Sequence, residues 1–142
     1  MTDIDPAVII PDQDKSWDLL ASQRLGRLAL MGQSGVDIYP VNYVVDGESI
    51  VFRSASGSKL SQISTSGLVS FEADSWDETS GFSVIAKGTA EVVSDPGEIA
   101  QVEALRLKPW TQTVKTIFVR IRVDSISARR FYFGPDPIER YR

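Results

Sequence analysis

Residues 36–53, VDIYPVNYVVDGESIVFR, leave the chain few choices. Two β-branched, apolar runs flank Asp46-Gly47. An Asp-Gly pair in that setting is a strong hairpin signal, because glycine accepts the positive φ that a tight turn needs. Two antiparallel strands are therefore committed here. Pro40 falls inside the first of them. Proline donates nothing to a hydrogen-bond ladder, so this arm is expected at an edge or a bulge.

The remaining segments repeat the theme. Leu28 and Leu30 alternate within 26–32, and Gln33-Ser34-Gly35 reads as a turn. Residues 67–74 place Val69, Phe71 and Ala73 on one face. Residues 82–93 read as a strand interrupted by Gly88, and 115–133 as the last strands, with Ile117, Val119, Ile121 and Val123 alternating against arginines. Residues 75–81, SWDETSG, read as a polar loop. Helices are few. Trp17, Leu20, Ala21 and Leu25 share a helical face over 16–25, with Asp14 or Ser16 as cap and Gly26 as stop. Residues 58–65 suggest a short helix with Leu60 and Ile63 inward. Asp95-Pro96-Gly97-Glu98 opens a helix running to about Leu107: aspartate caps, proline takes the first turn, and glutamate completes a capping box. Hairpins without regular strand–helix alternation predict a mainly β chain with short helices, closed or partly closed as a barrel, since closure removes exposed edges. Residues 1–13 read as an N-terminal extension and 14–142 as one domain.

Composition narrows the chemistry. The 142 residues include neither cysteine nor histidine. Disulfides, Cys/His zinc sites and a histidine-activated nucleophile are thereby excluded. General acid–base work would fall to carboxylates, Tyr or Lys with shifted pKa values, and a bound cofactor is the favoured agent of any chemistry. A net charge of −4 argues against nonspecific nucleic-acid binding, which needs a basic face. No apolar run is long enough for a membrane helix, and the acidic, proline-containing start is unlike a signal peptide, so a cytoplasmic location is expected.

One stretch has the residue types of an anion site. In VFRSASGSKL, residues 51–60, an apolar strand stops at Arg53, and Ser54, Ala55, Ser56, Gly57 and Ser58 lead to Lys59. Arginine can meet a phosphate bidentately, lysine as a point charge, and Ser54 and Ser58 as hydroxyl donors. A helix starting near Ser58 would add free N–H groups. A solvated turn accounts for the same residues.

The motif order is more specific. WDLLASQRLGRLAL, YPVNYVVDGESIVFRSASGSKL, VSFEADSWDETSGFSVIAKGTAEVVSDPGEI, LKPW and FVRIRVDSISARR span Trp17 to Arg130. In that order they resemble the pyridoxamine 5′-phosphate oxidase-like, FMN-binding split-barrel family, in its small flavin-binding subgroup. The resemblance implies a six-stranded antiparallel split barrel and a homodimer holding FMN in two symmetric interfacial clefts. It matches Arg53, Ser54, Ser58, Lys59 and Leu60 to the phosphate-binding segment. Pro40, Val41, Asn42 and Tyr43 match the strand along the isoalloxazine ring, and Ser83 matches a further flavin contact. Trp110, in a loop, would stack on the flavin or seal the interface. Family members that oxidise pyridoxamine phosphate use a histidine this chain lacks, so that substrate is not expected.

The function implied is an FMN-dependent oxidoreductase acting on an unidentified small molecule, with no catalytic side chain assigned. The alternatives are a non-catalytic flavin carrier or sensor, or a reductase using the deazaflavin F420 in the same cleft. Trp17 is read as core, and Trp76 as an interface or anchoring residue. Asp74, Asp77 and Glu78 are read as a solvated acidic loop and not a metal site. Arg129, Arg130, Arg140 and Arg142 are read as a solvated basic tail.

Overall fold

The computed structural model describes residues 7–55, 63, 67–105 and 117–134. Seven strands and two helices make up these residues: β1 Ala7–Ile10, α1 Gln13–Ala21, β2 Leu25–Gly32, β3 Gly35–Asp46, β4 Ser49–Ser54, β5 Leu68–Trp76, β6 Ser80–Val92, α2 Pro96–Glu103 and β7 Ile117–Tyr132. All pairings are antiparallel, in the order β1-β7-β4-β3-β2-β5-β6, and β6 returns to pair with β7. Strands β2 to β7 thus close the six-stranded barrel expected from the sequence. β1 raises the count to seven by adding to the far half of β7.

The tight turn lies one residue later than the Asp-Gly signal suggests. Asp46 and Ser49 form the last pair of the β3–β4 hairpin, and the two-residue loop is Gly47-Glu48, with Gly47 at φ +61°. The Ser49 hydroxyl donates to the Asp46 carbonyl at 2.7 Å and closes the turn. Gly88 does not end its strand. A Cβ there would lie 1.9 Å from the Arg122 carbonyl oxygen, so glycine permits the close crossing where β6 and β7 shift register. Residues 75–81 form the end of one hairpin and not a free loop, because β5 reaches Trp76 and β6 starts at Ser80.

Helix α1 starts earlier than its apolar face suggests. The cap is Asp12, whose carboxylate accepts from the Asp14 N–H at 2.9 Å. Ser16 is buried inside the helix, its hydroxyl directed at the Asp12 carbonyl. Capping by Asp95 is as expected: it accepts from the Glu98 N–H at 2.9 Å, and Pro96 takes the first turn. Helix α2 ends at Glu103, short of Leu107.

Period-two alternation fills the barrel. Leu28, Leu30, Val41, Tyr43, Ile50, Phe52, Val69, Phe71, Val84 and Ile121 all point inward and are buried. Leu19 and Leu20 of α1 join them, as does Ile63, with Trp17 packed at the margin. The Tyr43 hydroxyl donates to the Leu20 carbonyl at 2.5 Å, and its ring meets Phe71 edge-on at 4.8 Å. A second, smaller core lies outside the barrel wall. There α2 lays Val102, with Ile99, over Val51 of β4 and Phe118 of β7.

Candidate functional site

The barrel splits between β3 and β4. These strands pair only from Tyr43–Phe52 to Asp46–Ser49. One step further, the register would set Asn42 opposite Arg53. Instead β3 follows β2, where Asn42 faces Leu25, and β4 follows β7 to Ser54–Ile117. Residues 35–42 of β3 are therefore paired on one side among the described residues. Pro40 sits in this half-edge, in keeping with the edge or bulge expected from the sequence.

Asn42 and Arg53 flank the fork on the outer face of the wall, since Tyr43 and Phe52, their immediate neighbours, point inward. The Asn42 amide Nδ2 donates to the Arg24 carbonyl at 3.2 Å. Its Oδ1 is buried and accepts from none of the described residues. The Arg53 guanidinium lies over the Phe118 ring, 5.0 Å from its centroid, and the buried Nε donates to none of the described residues. Buried polar atoms are almost always hydrogen-bonded, and leaving one unbonded costs about 1–3 kcal/mol. An acceptor and a cationic donor are thus left open at one fork. A polar ligand carrying both an anionic group and an N–H donor fits that pair.

The other sequence-predicted residues fall as follows. Ser54 is buried next to Arg53, and its hydroxyl donates to the Ala55 carbonyl at 2.9 Å, so its hydrogen is not free for a ligand. The Val41 and Tyr43 side chains belong to the core and are closed to a ligand, and the Tyr43 N–H already donates to the Arg24 carbonyl at 3.0 Å. Burial raises the Tyr43 phenol well above its ordinary pKa, with the nearby Glu72 charge adding to this, so it stays neutral. Ser83 pairs with Arg129 of β7, eleven residues along that strand from Phe118, which pairs with Arg53. That is roughly 35 Å of strand contour, so Ser83 and the fork are remote along the chain. Ser58, Lys59, Leu60 and Trp110 lie outside the described residues, as do Arg140 and Arg142.

Two charge clusters escaped the sequence reading. Arg27 of β2 holds Glu72 at 2.6 Å and Asp74 at 2.7 Å, both on β5. The Glu72 bond raises the Arg27 pKa. Glu72 is itself raised, chiefly by burial and further by its hydrogen bond to Asp74, against the pull of Arg27. Arg120 of β7 donates to Glu98 at 2.9 Å, Asp46 at 3.0 Å and the Ser49 hydroxyl at 2.6 Å. Both clusters join residues on different strands or helices, and alternation alone marks them as outward-facing without pairing them. In the acidic loop, Asp74 serves Arg27. Asp77 accepts from the N–H groups of Thr79 and Ser80, and these bonds hold its carboxyl below the usual range.

Comparison with known proteins follows the same lines. The sequence profile of the family described as pyridoxamine 5′-phosphate oxidase matches residues 12–130. A solved structure of a candidate pyridoxamine 5′-phosphate oxidase from Corynebacterium glutamicum is 36% identical, with a TM-score of 0.82, covering 95% of this chain and 100% of that one. The FAD binding protein from Mycobacterium smegmatis is also 36% identical, with a TM-score of 0.77, covering 89% of this chain and 99% of its own. An uncharacterized protein of Mycobacterium tuberculosis is 31% identical over 130 residues, 87% of this chain and 85% of that protein.

Proposed function

The chain belongs to the pyridoxamine 5′-phosphate oxidase family, and on that footing we propose that it binds FMN at the β3–β4 fork and serves as a flavin-dependent oxidoreductase in a homodimer. The observation that carries this reading is the pair of unsatisfied buried atoms, Asn42 Oδ1 and Arg53 Nε, on two residues the sequence matches to a flavin site. Arg53 supplies charge-assisted donors of the kind a phosphate monoester takes, and its guanidinium carbon makes a cation–π contact with the Phe118 ring. Ser58 and Lys59 are assigned to the same phosphate from the sequence. Asn42 presents an acceptor for an N–H of the flavin's pyrimidine edge. The name of the mycobacterial FAD binding protein supports the flavin class. A bound flavin supplies hydride chemistry, and the chain supplies binding, orientation and the exclusion of water.

The second subunit is proposed on the outer face of β3, β2, β5 and β6. Val36, Ile38, Met31, Leu68 and Ile85 stand exposed there on neighbouring strands, with Arg27, Glu72 and Lys87 among them. An apolar patch ringed by charge of both signs suits a self-complementary, two-fold contact. Among the described residues, no helix is long and apolar enough to cross a membrane.

The test is a titration of cofactor-stripped protein with FMN, FAD and F420 in turn, with light scattering on the same samples. Saturable binding of FMN at one per chain on a dimer is the expected outcome. Preference for F420 would transfer the site to the deazaflavin, and binding of none would remove the reading. A monomer at micromolar concentration would remove the shared cleft.

A further inference from the structure

Phe118 and Arg53 face each other across the β4–β7 ladder, on the outer face of the wall. The pairing sets the guanidinium carbon 5.0 Å from the ring centroid. The ring itself has little room to move. Phe118 is 5% exposed and packs with Val51, Val93 and Val102, and Val102 of α2 is fully buried there. The backbone is held on both edges. β4 pairs along one, and on the other the Phe118 carbonyl accepts from the Val93 N–H at 2.9 Å.

Arg122, on the same face of β7, shows an arginine without such a floor. Its side chain is 65% exposed, and its contact with Glu91 is 3.7 Å long. Arg53 differs in a second way. Its Nε is buried and donates to none of the described residues. A cross-strand contact serving stability alone gives no reason for that, because an unbonded buried donor counts against the fold. The arrangement fits a donor held ready. An arginine side chain has many rotamers, and a ligand that must order it loses affinity in doing so. A cation lying on an aromatic face is ordered before the ligand arrives.

We propose that Phe118, backed by Val102 of α2, is a positioning residue: it presents the Arg53 guanidinium to the phosphate of a phosphate monoester, and so sets the preference of the fork for a phosphorylated ligand over its unphosphorylated form. Phe118 and Val102 act through Arg53. The identity of the ligand rests on the flavin reading above, whereas the positioning of Arg53 does not.

The test compares FMN with riboflavin, the same molecule without its phosphate, by calorimetric titration of the cofactor-stripped full chain. Wild type is expected to prefer FMN. Phe118→Leu keeps an apolar side chain against Val102 and removes the ring face. It should raise the FMN dissociation constant about fivefold and leave that of riboflavin unchanged. Phe118→Met serves the same comparison should the leucine variant fail to fold. Val102→Ala, one layer deeper, should move the ratio the same way by a smaller factor. In the Arg53→Ala background, Phe118→Leu should have no further effect on the ratio, because its route to the ligand has gone. A second readout needs no ligand. Nitrogen relaxation at Arg53 Nε, measured by NMR, should report an ordered side chain in the wild type and a mobile one in Phe118→Leu. Equal weakening of FMN and riboflavin, or an unchanged ratio, makes the contact a structural tie and overturns the proposal. If the wild type binds neither flavin, the flavin reading falls and the relaxation decides: a side chain that becomes mobile upholds the positioning role, and one that stays ordered overturns it.

Discussion

Arg120 and Arg53 stand on the same outer face of the β4–β7 ladder, one on β7 opposite Val51, the other on β4 opposite Phe118. Their surroundings are opposite. Arg120 is 13% exposed, with two carboxylates and a hydroxyl in contact. Burial works against its charge, but the bonds to Glu98 and Asp46 outweigh that and raise its pKa. Arg53 has an aromatic ring beneath it and a buried Nε with no partner among the described residues. The cause is where β3 goes. Beside Arg120 the β3–β4 hairpin is intact and brings Asp46 into reach, while α2 brings Glu98. At Arg53, β3 has already turned away. The same residue on the same face is a structural tie in one place and an open binding group in the other.

Substitutions that separate the two roles test this contrast. Arg120→Met is expected to have the largest effect. It leaves two half-buried carboxylates facing each other without a cation and should lower stability by about 2–3 kcal/mol, read by urea unfolding, while the folded fraction keeps its flavin affinity. Loss of flavin affinity without loss of stability would reverse the assignment. Arg53→Ala should do the opposite. Loss of a charged hydrogen bond worth about 1.5–3 kcal/mol raises the FMN dissociation constant roughly 10- to 100-fold, and the urea midpoint should barely move. Calorimetric titration beside an unfolding curve decides it.

Asn42→Leu sharpens the same point with a smaller effect. It removes an orphaned acceptor, so flavin affinity should fall about fivefold while stability holds or rises slightly, although the bond to the Arg24 carbonyl is lost. A clear drop in stability with unchanged affinity would make Asn42 a purely structural residue.

Arg27 is an intermediate case, one guanidinium between two carboxylates, and its signature is a pH dependence. Burial raises Glu72 above its ordinary value of 4.5, so the folded state holds that proton more tightly than the unfolded chain. The resulting stability is fully present below the ordinary value and is lost as pH rises through the raised one. Glu72→Gln should therefore abolish this small component, and the difference between the two unfolding curves should change across that window and stay flat above it. A difference independent of pH would mean that Glu72 does not titrate as described.

Much of the fold was legible because its signals are local. The alternation of Leu28 and Leu30, of Val69, Phe71 and Ala73, and of Val119 and Ile121 marks inward faces, since a strand repeats every two residues whatever surrounds it. The Asp95 cap was readable because its partner lies three residues away. The cap at Asp12 was not, because the apolar stripe that locates α1 begins a turn after the helix does. Of the candidate site, the sequence marked Asn42 and Arg53 and supplied the anion chemistry of Arg53. It did not separate them from Val41 and Tyr43, whose side chains face the core.

What the sequence determined by itself is therefore the strands, their inward faces, the hairpin at Gly47 and the edge character of Pro40. These follow from backbone geometry and from burial of apolar residues within a few positions. The tertiary structure alone decided which arginine is satisfied. Hydrogen-bond partners such as Asp46 and Glu98 for Arg120 lie 74 and 22 residues away in the chain, and proximity across a closed sheet is set by strand register. The point at which β3 leaves β4, and with it the unfilled pair at Asn42 and Arg53, exists only once the barrel has closed.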